Sequence, residues 1–214
     1  MSDSSCLNEL AKRRLVPVLA LDDAGQAADL AEALVAGGLP VAEVTFRTGA
    51  AVQAIQAMAA RGDMLVGAGT VLSPEQVDAA AEAGAAFVVS PGTSQAVLTR
   101  AVERGLAALP GAVTATEVQQ LLELGVEAMK FFPAETSGGA AAIKALGGPF
   151  KHVKFIPTGG IGPGELARYL SLPNVLAVGG SWMAPAGALA AGDFDQIRRL
   201  TAEAVALAEG ARRP

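Results

Sequence analysis

The chain reads as an α/β protein, a single-domain (β/α)8 TIM barrel spanning residues 1–214, and three observations predict it. Short apolar segments alternate with Ala-rich stretches of helical period, the alternation repeats eight times, and no charge run or Pro/Ser linker divides it. At 214 residues the chain lies near the lower end of what eight β/α units need, which leaves no room for a second core.

The strand segments run from Leu15 to Leu21, Val41 to Arg47, Met64 to Thr70, Ala86 to Ser90, Ala107 to Pro110, Ala128 to Phe132, Val153 to Thr158 and Val175 to Val178. Helical period follows them, for example over Ala24 to Ala36, Pro74 to Ala83, Ser94 to Arg104, Thr114 to Leu124 and Pro163 to Leu170. Ser73 ahead of Pro74 places an N-cap before an N1 proline, and Thr114 precedes Glu117 at capping-box spacing. An open doubly wound sheet with extra strands is the alternative, because closure is set by tertiary pairing and not by local pattern.

With 51% hydrophobic and 17% charged residues, the composition is that of a globular chain with a large core. Its apolar runs stop well short of the roughly 20 residues of a membrane span. The segment MSDSSCLNELAKRR lacks the apolar h-region of a secretory signal, so the expected place is the cytoplasm. A net charge of −5 argues against nucleic acid as a partner while allowing a small anionic substrate held by local positive potential. Cys6, the only cysteine, excludes an intrachain disulfide, and its position near the terminus predicts a plain thiol on a mobile segment. The single histidine, His152, cannot build a His-rich metal site, so no metal is expected. Its ring is expected to satisfy a local hydrogen bond at a strand start, away from the chemistry.

Catalytic groups of a barrel collect at the C-terminal mouth, so polar residues late in a strand are informative. In VAEVTFR, Glu43, Thr45 and Arg47 share one parity, opposite to Val44 and Phe46, which directs a carboxylate and a guanidinium into one pocket. In GVEAMKFFPAE, Lys130 stands near the end of an apolar strand. Burial disfavours the ammonium form, and a neutral amine is the nucleophile that converts a ketone to an imine. On this strand alone, a lysine that snorkels to solvent or merely pairs with an acid such as Glu43 is an equal reading. Lys154 in HVKFIPTGG competes with it, since KFIP and KFFP repeat one local pattern.

Two glycine-rich turns, Pro157 to Glu165 and Val178 to Trp182, follow the seventh and eighth strands, where barrel enzymes often bind phosphate. GKS and GKT are absent and GGIGPG has the wrong spacing for a dinucleotide fold, so a sugar phosphate is expected and no nucleotide or other cofactor. GAGT, Gly67 to Thr70, and SPGT, Ser90 to Thr93, either bind a carboxylate or cap the next helices, and for Thr93 the cap is favoured. Trp182 is expected to pack beside the last loop.

The ordered set VPVL, EVTFRT, GAGTVL, SPG, MKFFPAE, PTGGI and GGSW resembles the family of 2-keto-3-deoxy-6-phosphogluconate and 4-hydroxy-2-oxoglutarate aldolases over nearly the whole chain. These are class I pyruvate aldolases. The resemblance implies that Lys130 forms the Schiff base and Glu43 is the general acid/base. It implies further that Arg47 and Thr70 bind the keto-acid carboxylate, with Pro91 and Phe132 shaping that pocket. Thr158, Gly159, Gly160 and Ser181 would hold the distal part of the substrate, chiefly its phosphate, and Thr158 matches the gluconate enzymes more than the galactonate ones. A homotrimer is also implied. On the residues alone, a phosphosugar isomerase or epimerase and a non-catalytic phosphate-binding oligomer are the competing readings. The convergence of Glu43, Arg47 and Lys130 at strand ends is more than a structural barrel needs.

Overall fold

The computed structural model describes residues 3–211, so Met1, Ser2 and positions 212–214 of the expected domain lie outside the described residues. Strands β1 (Leu15–Leu19), β2 (Val41–Thr45), β3 (Leu65–Gly69), β4 (Phe87–Val89), β5 (Ala107–Leu109), β6 (Ala128–Phe131), β7 (Lys154–Pro157) and β8 (Val178–Gly180) alternate with helices. The helices are α1 (Asp3–Arg13), α2 (Ala27–Ala36), α3 (Ala51–Ala59), α4 (Pro74–Glu82), α5 (Gln95–Glu103), α6 (Ala115–Glu123), α7 (Gly139–Leu146), α8 (Pro163–Leu170), α9 (Ala186–Ala191) and α10 (Phe194–Gly210). No helix among the described residues is long and apolar enough to cross a membrane.

Every strand pairing is parallel: a six-stranded sheet in the order β5-β4-β3-β2-β1-β8 and a two-stranded sheet of β6 and β7. Single parallel bridges, Gly111 with Lys130 and Thr158 with Gly179, run between the two sheets. Because all strands point one way, the residues that follow their C-terminal ends gather on one rim.

Strand parity divides the core. Ala42, Val44, Val66, Ala68 and Val88 pack outward against α2 to α5, and Met129, Phe131 and Phe155 outward against α6 to α8. Val16, Val41, Leu65, Phe87, Val89, Leu109 and Ile156 face the interior, where Cys6 and Leu10 of α1 join them from below. Cys6 is thus 1% exposed in the core rather than on a mobile terminus. Its helix was invisible to a β-then-α pattern, since α1 precedes the first strand.

Local signals set several boundaries as expected. Ser73 accepts from Gln76 N ahead of Pro74, and Thr114 and Glu117 form the capping box. Most strands end one or two residues before their apolar pattern does. The eighth is displaced: β8 begins at Val178, where the expected strand ended. VGG is therefore a strand paired with Leu15, Val16 and Pro17, and not a turn. The glycines read as turn formers are needed for space, since a Cβ on Gly179 would fall 2.3 Å from Thr158 Oγ1 and one on Gly180 1.7 Å from Trp182. Trp182 packs, partly buried, against the hydrophobic cluster that contains Val178 and Met183. Thr93 is not a cap; Ser94 caps α5, while Thr93 donates to the Gly111 carbonyl. His152 is exposed in the turn before β7, and among the described residues its ring makes no hydrogen bond.

Arg14 anchors the end of the molecule opposite the rim. Just before β1, with φ +63°, it donates to the Ala208 and Leu170 carbonyls at 3.1 and 2.8 Å, in the last turns of α10 and α8. Helix C-termini carry unpaired carbonyls and partial negative charge, so a guanidinium there is stabilising. Arg14→Met is expected to lower unfolding free energy by about 1–3 kcal/mol, read from the urea midpoint, with turnover unchanged. An unchanged midpoint would remove this role.

Candidate active site

The inward residue at the upper end of β6 is Lys130. Its neighbours Met129 and Phe131 face the helices, Phe131 edge-on to Phe155 with ring centroids 6.0 Å apart. Lys130 is 4% exposed, and its Nζ donates to Oε1 of Glu43, 2% exposed, at 3.0 Å. The two residues come from different sheets, Glu43 from β2 of the six-stranded one and Lys130 from β6 of the two-stranded one, so only the folded chain joins them. Around the pair the interior is filled: with Val16, Phe87, Val89, Leu109, Ile156 and Thr158 it lines a space of only about 10 Å³.

A buried ion pair is poor at supplying stability, because desolvating two charges offsets most of their attraction. An apolar pair of the same volume would serve the core as well, so the arrangement points to chemistry. Gly69 makes room for it. A Cβ at that position would lie 2.4 Å from Glu43 Oε1 and 2.7 Å from Cγ, so only glycine fits beside the carboxylate.

Register separates the two lysines. Lys154 pairs with Ala128 and Lys130 with Ile156, so Lys154 starts β7 at the opposite end from the rim. Its Nζ donates to the Pro173 carbonyl in an exposed contact.

The other predicted positions follow strand ends on the rim. Phe132, next after β6, holds its ring centroid 5.3 Å from Lys130 Nζ. Thr158 is buried at 6% exposure beside the pair, and its Oγ1 has no partner among the described residues. Gly159, with φ +105°, lies against the Phe132 ring, and Gly160 against Glu135. Thr70, with φ +56°, follows β3, Pro91 follows β4 and Ser181 follows β8. Arg47 differs from expectation. β2 ends at Thr45, whose hydroxyl bonds the Leu19 carbonyl, so strand parity stops short of Arg47; it sits exposed in the turn and makes no hydrogen bond or ion pair with other described residues.

A cluster that the sequence did not reveal stands beside the glycine loop. Glu135 accepts bonds from the Tyr169 hydroxyl and from Arg168 Nη2, the latter at 2.8 and 3.1 Å to its two oxygens. The Tyr169 bond, with Arg168 adding to it, holds the Glu135 carboxyl below the usual carboxylate range. Burial, then the Glu135 bond, pushes the Tyr169 hydroxyl well above its ordinary value. The glutamate lies in the quoted segment MKFFPAE, but no local pattern joins it to residues 33 and 34 positions further on.

The start of α8 is less open to an anion than its glycines suggested, because Glu165 accepts the Gly162 N–H at 3.0 Å. Among the described residues no group of three or more His, Cys, Asp or Glu could hold a metal ion. Three larger surface hollows, one between α1, α5 and the turn after α6, one between α2 and α10, and one between the ends of α1 and α8, include none of these residues.

Fold and site together define a class: an α/β enzyme armed with a buried amine and a carboxylate at the C-terminal ends of parallel strands. The chain belongs to the KDPG and KHG aldolase family, whose model matches residues 7–200. It is 47% identical over 199 residues to a KHG/KDPG aldolase of Escherichia coli (strain K12), covering 92% of each chain. Among solved structures, a 2-keto-3-deoxy-6-phosphogluconate aldolase of Zymomonas mobilis is 43% identical with a TM-score of 0.90, covering 97% of this chain and 98% of that one. A KDPG aldolase of Legionella pneumophila, solved with pyruvate captured as a covalent carbinolamine, is 37% identical with a TM-score of 0.89, covering 94% and 97%.

Proposed function

We propose that this chain is a class I aldolase that forms an imine through Lys130 and cleaves 2-dehydro-3-deoxy-6-phosphogluconate to pyruvate and D-glyceraldehyde 3-phosphate. The observation that carries the reading is the buried contact of 3.0 Å between Lys130 Nζ and Glu43 Oε1. An amine attacks a ketone only after losing its proton, and Glu43 is the group in reach to take it.

Attack on C2 gives a carbinolamine. Glu43 returns the proton to its hydroxyl, which leaves as water and generates an iminium. Glu43, directly or through a water, then takes the proton of the C4 hydroxyl. The C3–C4 electron pair moves into the iminium, which releases the aldehyde and leaves an enamine. Protonation at C3 and addition of water at C2 free pyruvate and regenerate the amine. The same steps would release glyoxylate from 4-hydroxy-2-oxoglutarate, in keeping with the names of the relatives.

In this reading Arg47 and Thr70 hold the keto-acid carboxylate, Pro91 and Phe132 wall that end, and Thr158, Gly159, Gly160 and Ser181 receive the distal phosphate. The positions of all eight beyond or at strand ends on one rim support it. The two single bridges support a further reading, that the strands close into one (β/α)8 barrel of a single domain. We read the protein as a cytoplasmic homotrimer of Entner–Doudoroff-type catabolism on the family resemblance, with small anions and not nucleic acid as its partners.

Incubation with pyruvate and borohydride, followed by peptide mapping, tests the mechanism. The expected result is a reduced adduct on Lys130. An adduct on Lys154 would keep the class and overturn the site, and folded protein without an adduct would favour an isomerase.

A further inference from the structure

We infer that Glu135 is a positioning residue for the Gly159–Gly160 loop, locking it in the shape that receives the phosphate. The inference rests on the phosphate role proposed for that loop.

Glu135 lies in the loop that leaves β6 after Lys130, and its backbone is tied to the glycine loop. Ala134 N–H donates to the Thr158 carbonyl at 2.8 Å, and Glu135 N–H to that of Gly159 at 3.1 Å. At Gly160 the backbone has φ +78° and runs so close to Glu135 that a Cβ there would meet the glutamate's Cβ at 3.0 Å. The side chain then continues to α8, where Tyr169 and Arg168 hold the carboxylate. Tyr169 is fully buried, so the far end of the clamp is fixed to the core. One side chain therefore joins the strand that carries the amine, the glycine loop and the helix beyond it. Two glycines at positive φ would otherwise leave that loop free to vary.

As a stabilising contact the Glu135–Arg168 pair is weak, since its side chains are 33% and 55% exposed. Its use is in geometry: backbone N–H groups bind a phosphate only when held at hydrogen-bond range from its oxygens. A merely electrostatic role predicts the opposite sign. Removing the carboxylate would release the Arg168 cation and favour an anionic substrate, whereas loss of positioning weakens its binding.

The test compares the phosphorylated keto-deoxy acid with its non-phosphorylated counterpart in steady-state assays. Glu135→Ala is expected to raise KM for the phosphorylated substrate about tenfold, with kcat within about twofold and KM for the other unchanged. Glu135→Gln, which keeps the packing and an acceptor for Tyr169, should restore most of the loss. Pyruvate trapping on Lys130 should proceed as in the parent protein. If Glu135→Ala does not fold, Tyr169→Phe, which removes one clamp bond without changing any charge, is read in its place and should raise KM in the same selective way. An equal rise for both substrates, no rise, or a fall overturns the inference. If the parent protein itself does not prefer the phosphorylated substrate, the phosphate reading fails, a result distinct from a preference that survives in the variants.

Discussion

Lys130→Met is expected to reduce kcat/KM for aldol cleavage by at least about 10⁴-fold, because among the described residues the covalent step has no other amine in reach. The same change should cost about 3–5 kcal/mol of stability, since it leaves the Glu43 carboxylate 2% exposed without its cation. The second loss has a specific remedy. In Lys130→Met/Glu43→Leu both charges give way to apolar groups of similar volume, and stability should return to the parent level or rise above it. Activity should stay absent. Urea midpoints and cleavage rates on the three proteins separate the claims. A double variant less stable than the single one would mean the pair serves the fold. Cleavage surviving in Lys130→Met would end the imine assignment at this residue.

What could be read from the sequence was what depends on near neighbours. Ser73 before Pro74, and Thr114 with Glu117, act within one helical turn, and both caps formed as read. The inward direction of Glu43 was also legible, because parity along a strand is fixed by the pleat, whereas for Lys130 a side chain reaching out to solvent was an equal reading. Relations between strands were not. Lys130 and Lys154 sit in matching local patterns, and only the register of β6 against β7 sends one to the rim and the other to the far end. The extent of β8 was misread for the same reason: Gly179 and Gly180 resemble a turn until Thr158 and Trp182 are seen to fill the space of their missing side chains. Arg47 shows the limit of parity itself, which lapses where β2 ends at Thr45. The Glu135 clamp lies beyond any local rule, since its partners come from the next β/α unit.

Gly69→Ala should lower kcat about 10²-fold while leaving the fold intact, the scale expected when a catalytic group is displaced by about 1 Å. Carbon and oxygen do not approach to the 2.4 Å that a Cβ would have from Glu43 Oε1, and Cγ at 2.7 Å closes the same path, so the carboxylate has to move. A swing away from Lys130 breaks the contact of 3.0 Å on which each proposed proton transfer depends. Because Glu43 serves carbinolamine formation as well as C3–C4 cleavage, pyruvate trapping on Lys130 should slow along with kcat. Gly187→Ala is the control, since a Cβ there meets nothing within 4 Å and turnover should be unaffected. If trapping stays fast while kcat falls, Glu43 acts only in cleavage. If both stay fast in folded Gly69→Ala protein, the carboxylate tolerates displacement and its role as the proton carrier fails. A glycine in the middle of a sheet weakens the strand by its backbone entropy and lack of packing, so at Gly69 the strand gives up stability to leave the carboxylate its place.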